Sequence, residues 1–160
     1  MNRHLPTPNA QVARMNCWAA CLAWWLRYMN YNGLGGHKIH TQDDITREFK
    51  RYGGLSEESI VGVLGHEWFG LDTQFEPNLN PSNLCFGLSK SPVLVFFKYP
   101  TGGLHVNVVY DFNSTTHKVD AMEPYKGKFL VRSLDFFQPT ISVKEDMGEN
   151  NLGIYIASAK

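Results

Sequence analysis

Apolar residues recur at helical spacing in the first part of the chain. From Cys17 to Tyr31 they come three or four positions apart, which predicts a helix with a broad buried face. Asn16 is a suitable N-cap, and Asn32-Gly33 predicts the end of the helix. The residues of the apolar face are Trp18, Cys21, Leu22, Trp25, Leu26 and Met29. The stretch before this helix, residues 1–15, is polar and carries Pro6 and Pro8, so we expect it to form an extended arm.

Shorter helices are predicted to follow. Thr41-Gln42-Asp43-Asp44 opens a second helix in the manner of a capping box, with Asp44 replacing the usual glutamate, and Gly53-Gly54 stops it. Ser56 begins a third helix that runs to about Gly65. Asn80-Pro81 combines an N-cap with a proline at the first helical position, which predicts a fourth helix through Leu88.

The second half of the chain changes to β-rich runs separated by turn signals such as Thr101-Gly102-Gly103 and Asn113-Ser114. The predicted strands are Pro92 to Tyr99, Leu104 to Phe112, Lys118 to Met122, Lys128 to Arg132, Thr140 to Val143 and Ile154 to Ala157. Helices followed by an antiparallel sheet predict an α+β fold. With no internal repeat or linker, residues 1–160 are expected to form a single domain.

The composition and charge of the chain argue against some classes of binding partner. Lys+Arg and Asp+Glu both count 15, so the formal net charge is zero and no basic stripe suggests nucleic acid as a partner. Hydrophobic residues make up 43%, which is typical of an ordered globular protein. No apolar run reaches the roughly 18 residues of a membrane span, so we expect no membrane partner.

The first residues, Met1 to Pro6, lack the apolar segment of a secretory signal peptide. We therefore expect a protein that stays cytoplasmic in the producing cell, or one exported by a dedicated secretion system into a target cell, or a mature or excised fragment. Three cysteines, Cys17, Cys21 and Cys85, are an odd number and do not indicate a disulfide framework.

Cys17 is the first candidate for chemistry. Peptide dipoles and unpaired N–H groups at a helix N-terminus favour the thiolate form of a cysteine. Gln11, six residues upstream, can return to the same place and donate from its side-chain amide to an oxyanion. An ordinary core thiol is the alternative for Cys17, and a solvated arm residue is the alternative for Gln11.

A cysteine nucleophile needs a base and a group that orients the base. Of the six histidines, His105 stands out because it begins a Val-rich strand and can project from it into a cleft. The next strand carries two acids, Asp120 and Glu123. Because successive side chains of a strand alternate faces, these two acids point to opposite sides, and at most one faces His105.

These residues resemble those of papain-like cysteine proteases. Gln11, Cys17 and Trp18 match the family's oxyanion glutamine, nucleophile and following tryptophan in spacing. His105 followed by an acid before Pro124 resembles the compact bacterial branch, which includes effector proteases and peptidase-like domains of bacteriocin exporters. The family usually has Asp or Asn where this chain has Glu123. We prefer Glu123 because Pro124 follows it, and Asp120 stays the alternative acid.

The resemblance implies a papain-like fold, with a helical lobe that carries Cys17 and a twisted antiparallel sheet that carries His105 and the acid. It implies a peptidase that cleaves a peptide or amide bond, and it favours a bacterial effector or toxin. The alternatives are a cell-wall peptide amidase, a deamidase or an acyltransferase with the same thiol site, or a non-catalytic binding module. We expect a monomer without metal or cofactor. Its partners would be a protein or peptide substrate and a cognate inhibitor or immunity protein.

Two sets of residues have side chains of the types that bind metal ions. His37 and His40 form a possible pair in a glycine-rich loop, but no third ligand lies nearby in the sequence. The three cysteines with a histidine could bind structural zinc, but no Cys-x-x-Cys pair supports that assignment.

Overall fold

The computed structural model describes residues 3–13, 15–52, 55–99, 103–144 and 150–160. The predicted stop at Gly53-Gly54 and the turn residues Thr101 and Gly102 lie outside the described residues. The helices are α1 (Cys17–Tyr31), α2 (Gln42–Glu48), α3 (Ile60–Leu64) and α4 (Pro81–Leu88). The strands are β1 (Leu71–Glu76), β2 (Val93–Lys98), β3 (Leu104–Asn113), β4 (Lys118–Glu123), β5 (Lys128–Ser133), β6 (Ile141–Lys144) and β7 (Asn150–Ala159).

The central helix α1 has the predicted bounds, and it is buried more completely than an amphipathic helix would be. All its residues from Cys17 to Leu26 are buried. The indole N–H of Trp24 donates to the carbonyl of Pro6 at 3.1 Å, and that of Trp25 donates to Pro92 at 3.0 Å. The arm therefore covers one side of α1 while the chain entering β2 meets the other. Asn16 occupies the N-cap position without a side-chain capping bond.

The capping predictions for α2 and α4 are confirmed. Thr41 and Asp44 form a reciprocal capping box, and Asn80 forms one with Asn83. The third helix is shorter than predicted and begins at Ile60. Residues 56–59 form a turn instead, because the serine hydroxyls at its two ends bond to the turn's own backbone.

Within the described residues, the strands pair antiparallel in the order β1-β7-β2-β3-β4-β5, and β6 pairs with β7. Strand β1 was not predicted from the sequence. Four of its six residues are polar, and it pairs with β7 from Leu71–Ala159 to Glu76–Ile154. The layout confirms the α+β prediction.

Both faces of the sheet are covered, which explains why β2 is buried from Val93 to Phe97. On one face α1 packs against Phe96, Val106 and Met122. The other face forms a second cluster with Leu84 of α4. None of the helices in the described ranges is long and apolar enough to cross a membrane.

Candidate active site

The thiol of Cys17 lies at the start of β3. Cys17 is the first residue of α1 and is only 6% exposed. Its Sγ donates to the carbonyl oxygen of Leu104 at 3.7 Å, and Leu104 directly precedes His105. The packing of α1 on the sheet therefore brings the candidate nucleophile to the backbone that carries the candidate base.

Burial changes the expected ionisation of this thiol. It raises the pKa of Cys17 to about 11, and the nearby charge of Glu123 acts in the same direction. The backbone N–H of Trp18 lowers that pKa but does not outweigh burial. The prediction that the helix N-terminus leaves a thiolate is therefore wrong for this resting arrangement, because removal from water disfavours the charged form more strongly.

His105 and Glu123 form a buried pair across neighbouring strands. The Nε2 atom of His105 lies 2.7 Å from Oε1 of Glu123, and the two residues are 5% and 2% exposed. The pairing of Val108 with Met122 continues by one residue to place Asn107 opposite Glu123, with His105 two residues further along the same face. The register of β3 and β4 thus brings the histidine and the acid together.

Glu123 accepts hydrogen bonds on both carboxylate oxygens. Besides His105, the donors are the backbone N–H of Tyr125 at 2.9 Å, Nδ2 of Asn107 at 2.8 Å and the guanidinium of Arg132 at 3.0 Å. Burial alone would raise the pKa of Glu123. The bonds and charge of His105, with those from Tyr125 and Asn107, outweigh it and lower the pKa to about 2.

Asn107 and Arg132 also bind each other, since Nε of Arg132 donates to Oδ1 of Asn107 at 2.9 Å. The guanidinium lies 3.7 Å from the ring centre of Phe136. Neither residue was predicted from the sequence. Asn107 had a usable signal, because it lies two positions after His105 on the same strand face. Arg132 lies on another strand, far from His105 in the sequence, and carries no such signal.

Asp120, the alternative acid, is not brought to His105. It pairs with Val131 of β5 and with Asp111 of β3, on the face opposite to that of Glu123. Burial and the charge of Asp111 raise the pKa of Asp120. Of the two acids, the structure therefore places Glu123 beside the histidine.

Gln11 and His105 line the same open pocket, which has a volume of about 840 Å³. The backbone N–H of Gln11 donates to the carbonyl of Pro124 at 2.9 Å. Its side-chain Nε2 donates to the carbonyl of Ala13 at 3.2 Å. The arm thus places Gln11 in the lining of the pocket that also contains His105. The remaining pocket residues are Val12, Ala13, Met15, Tyr99, Gly103, Leu104, Tyr125 and Lys126.

The other candidates lie apart from this pocket. The ring of His37 packs on Trp25, and that of His40 stacks on Trp68 with centroids 3.7 Å apart. Cys21 is buried with its Sγ on the carbonyl of Val106, and Cys85 is exposed on α4. Among the described residues, no group of three or more His, Cys, Asp or Glu could hold a metal ion.

The low pKa of Glu123 predicts a loss of stability in acid. A carboxylate with a lowered folded-state pKa stabilises the fold fully above its ordinary value of 4.5, and this contribution is lost as the pH falls towards about 2. Urea unfolding from about pH 7 to about pH 2 should therefore show a free energy of unfolding that falls less steeply in Glu123→Gln than in wild type.

Asp120→Asn is the matched control for this titration. The pKa of Asp120 is raised by burial and by the charge of Asp111, so the pH dependence of its contribution has the opposite sign: the contribution is present in acid and is lost as the pH rises through the folded value. In Asp120→Asn the free energy of unfolding should therefore fall towards low pH at least as steeply as it does in wild type. An acid limb that is the same in Glu123→Gln and wild type would contradict the assignment of the ionised carboxylate to Glu123.

The chain resembles a known protein in its fold at low sequence identity. No protein-family model matches the chain, and no curated protein matches it. Among solved structures, the chain is similar to UfSP from C. elegans, a cysteine protease. The match has a TM-score of 0.56 and 14% identity, and it covers 98% of this chain and 35% of UfSP.

The fold is papain-like. This similarity confirms the fold that was implied by the resemblance at Gln11, Cys17 and Trp18. This chain spans only about a third of the length of UfSP, so the activity of the whole UfSP chain does not transfer with the fold.

Proposed function

We propose that this protein is a cysteine peptidase in which Cys17 is the nucleophile, His105 the base and Glu123 the orienting acid. The observation that carries the proposal is the buried His105–Glu123 pair at the strand end that the Cys17 thiol contacts. The papain-like fold supports it, because this fold hosts thiol hydrolysis in the structural neighbour.

The proposed roles imply one tautomer for the base. Glu123, with a pKa of about 2, is ionised near neutral pH and only accepts hydrogen bonds. The proton between the two groups therefore lies on Nε2 of His105, which bonds to Oε1 of the acid. This leaves the lone pair of the imidazole on Nδ1, and Nδ1 is the atom that takes the thiol proton.

The proposed reaction is acyl transfer in two halves. As Sγ of Cys17 attacks the carbonyl carbon of an amide, its proton passes to Nδ1 of His105, and an S–C bond forms. The oxyanion is held by the backbone N–H of Cys17 and the side-chain amide of Gln11. The C–N bond then breaks, and the amine leaves with the proton from His105. Water, activated by the same nitrogen, hydrolyses the thioester and releases the acid and the thiol.

The raised pKa of Cys17 gives His105 a specific task. A thiol with a pKa of about 11 is almost entirely protonated near neutral pH, so attack must be coupled to proton transfer. An oxyanion donor such as Gln11 would contribute about 2.7–4 kcal/mol to lowering the barrier.

His105→Ala tests the proposed base through the pH dependence of alkylation by iodoacetamide. Wild-type Cys17 should react near neutral pH, because His105 accepts its proton. In His105→Ala the reaction of Cys17 should need strongly alkaline pH, since the thiol then ionises alone. His4→Ala, at an exposed histidine outside the pocket, is the control and should keep the wild-type profile. Superimposable profiles for wild type and His105→Ala would count against His105 as the base.

A further inference from the structure

The turn between β4 and β5 contacts both Glu123 and the arm that carries Gln11. The backbone N–H of Tyr125 donates to the Glu123 carboxylate at 2.9 Å. The carbonyl of Pro124, the residue before Tyr125, accepts hydrogen bonds from the N–H of Gln11 at 2.9 Å and from the N–H of Gly127 at 3.2 Å. One five-residue turn, residues 123–127, therefore holds the acid at one end and the arm at the other.

Gly127 allows the arm to approach this turn more closely than any side chain would permit. Its φ is +57°, a conformation that favours glycine. A Cβ at this position would lie 2.6 Å from the backbone nitrogen of Ala10 and 2.9 Å from the carbonyl carbon of Asn9. These neighbours are backbone atoms, so they cannot move aside without shifting the arm.

The arm is held from its other side by Gln42 of α2. The side-chain Nε2 of Gln42 donates to the carbonyl of Ala10 at 3.0 Å, and its Oε1 accepts from the N–H of Val12 at 2.9 Å. Residues 10–12 are therefore clamped between α2 and the turn. A displacement at Gly127 would be transmitted to Gln11, since the bonds on both sides of it leave the segment little room.

We propose that the turn 123–127 fixes the oxyanion donor Gln11 relative to the acid Glu123, and that Gly127 is its positioning residue. The inference rests on the proposed function, because it concerns the arrangement of that site. Gly127 touches no reacting atom and acts through the arm. A Cβ there would displace Gln11 while leaving Cys17, which lies on α1 and contacts the carbonyl of Leu104, and His105, which lies on β3, in place.

The test compares two reactions of the same thiol. In p-nitrophenyl acetate the sulfur attacks a carbonyl, an S–C bond forms, and p-nitrophenolate leaves with the electron pair of the broken C–O bond. That path passes through an oxyanion and needs its donors. In iodoacetamide the sulfur displaces iodide from a saturated carbon, and no oxyanion forms. A displaced Gln11 should slow the first reaction and spare the second.

The variants are Gly127→Ala, Gln11→Ala, the double variant and Gly70→Ala. Gly70 has a nearly equal φ of +59°, and a Cβ there would meet no heavy atom within 4 Å, so it controls for backbone strain. We expect Gly127→Ala and Gln11→Ala each to lower the acylation rate by about 100-fold. The double variant should fall little further, and Gly70→Ala should acylate like wild type. Alkylation should stay near the wild-type rate in all four.

Gly127→Asn keeps the inference testable where Gly127→Ala folds poorly. Asparagine tolerates a left-handed backbone, so this variant relieves much of the backbone strain. Its Cβ still clashes with the backbone of the arm. It should lose acylation as Gln11→Ala does. Wild-type acylation in Gly127→Asn, additive losses in the double variant, or equal losses of acylation and alkylation in both Gly127 variants would each overturn the inference. Failure of the proposed function looks different, because neither reagent would then modify Cys17 in the wild-type protein.

Discussion

Replacing Cys17 with alanine should lower the hydrolysis of peptide or ester substrates by about 10⁶-fold, the loss typical of removing a covalent nucleophile. The remaining groups can still bind substrate and stabilise an oxyanion, but no atom is left to form the thioester. The fold should survive, because Sγ makes only a long contact with the carbonyl of Leu104 at 3.7 Å and the backbone of α1 is unchanged.

The measurement is turnover of p-nitrophenyl acetate and of a mixed peptide pool, with the melting temperature recorded alongside. Cys85→Ala is the matched control, because Cys85 is an exposed cysteine on another helix. It should retain wild-type turnover. Wild-type turnover in a folded Cys17→Ala protein would make the nucleophile assignment wrong.

Glu123→Gln should lower kcat/KM by about 10⁴-fold, the loss seen when an orienting carboxylate becomes an amide in a related triad. The glutamine amide must aim its NH2 group at one of the donors that surround the acid. Of those donors, His105 is the one that can become an acceptor, because Nε2 accepts a hydrogen bond when the imidazole adopts its other tautomer. The histidine would then carry its proton on Nδ1 and could not take one from Cys17.

Asp120→Asn is the matched control on the same strand and should retain most of the activity. Asp120 lies on the opposite face of β4, opposite Val131, so removing its charge does not reach the imidazole. The reverse result, with Asp120→Asn as the damaging change, would move the acid to Asp120. Equal and mild losses would indicate that His105 works without an orienting carboxylate.

Elements whose signals are local could be predicted from the sequence. The apolar spacing of α1 and the capping box at Thr41 depend on residues a few positions apart, and both are present in the structure. Strand β1 was missed because its polar residues resemble a loop until β7, far along the chain, pairs with it. The start of the third helix was placed too early, since Ser56 and Ser59 cap a turn as readily as a helix.

In the candidate site, too, features with local sequence signals could be predicted and features that depend on distant residues could not. Strand alternation was enough to place Asp120 and Glu123 on opposite faces, and the contact of Glu123 with His105 follows from strand adjacency. The support from Arg132 could not be predicted, because it depends on how three strands align. The pKa of Cys17 was predicted in the wrong direction, since burial is a property of the packed molecule.

The role of the protein in a cell stays a prediction. The single domain, the effector or toxin role, the route of export, the monomeric state and an inhibitor or immunity partner rest on the sequence and on the resemblance. A proteome-wide cleavage profile of the active protein would identify the class of substrate.

Selective labelling of Cys17 tests the central claim most directly. Wild-type protein is treated near neutral pH with limiting iodoacetamide, and the modified cysteines are located by mass spectrometry. Ordinary thiol reactivity follows exposure and would favour Cys85, which is exposed, over Cys17 and Cys21, which are buried. We expect Cys17 to be labelled first in the wild-type protein and this preference to be lost in His105→Ala. Labelling of Cys85 with Cys17 left unmodified in the folded wild-type protein would contradict it.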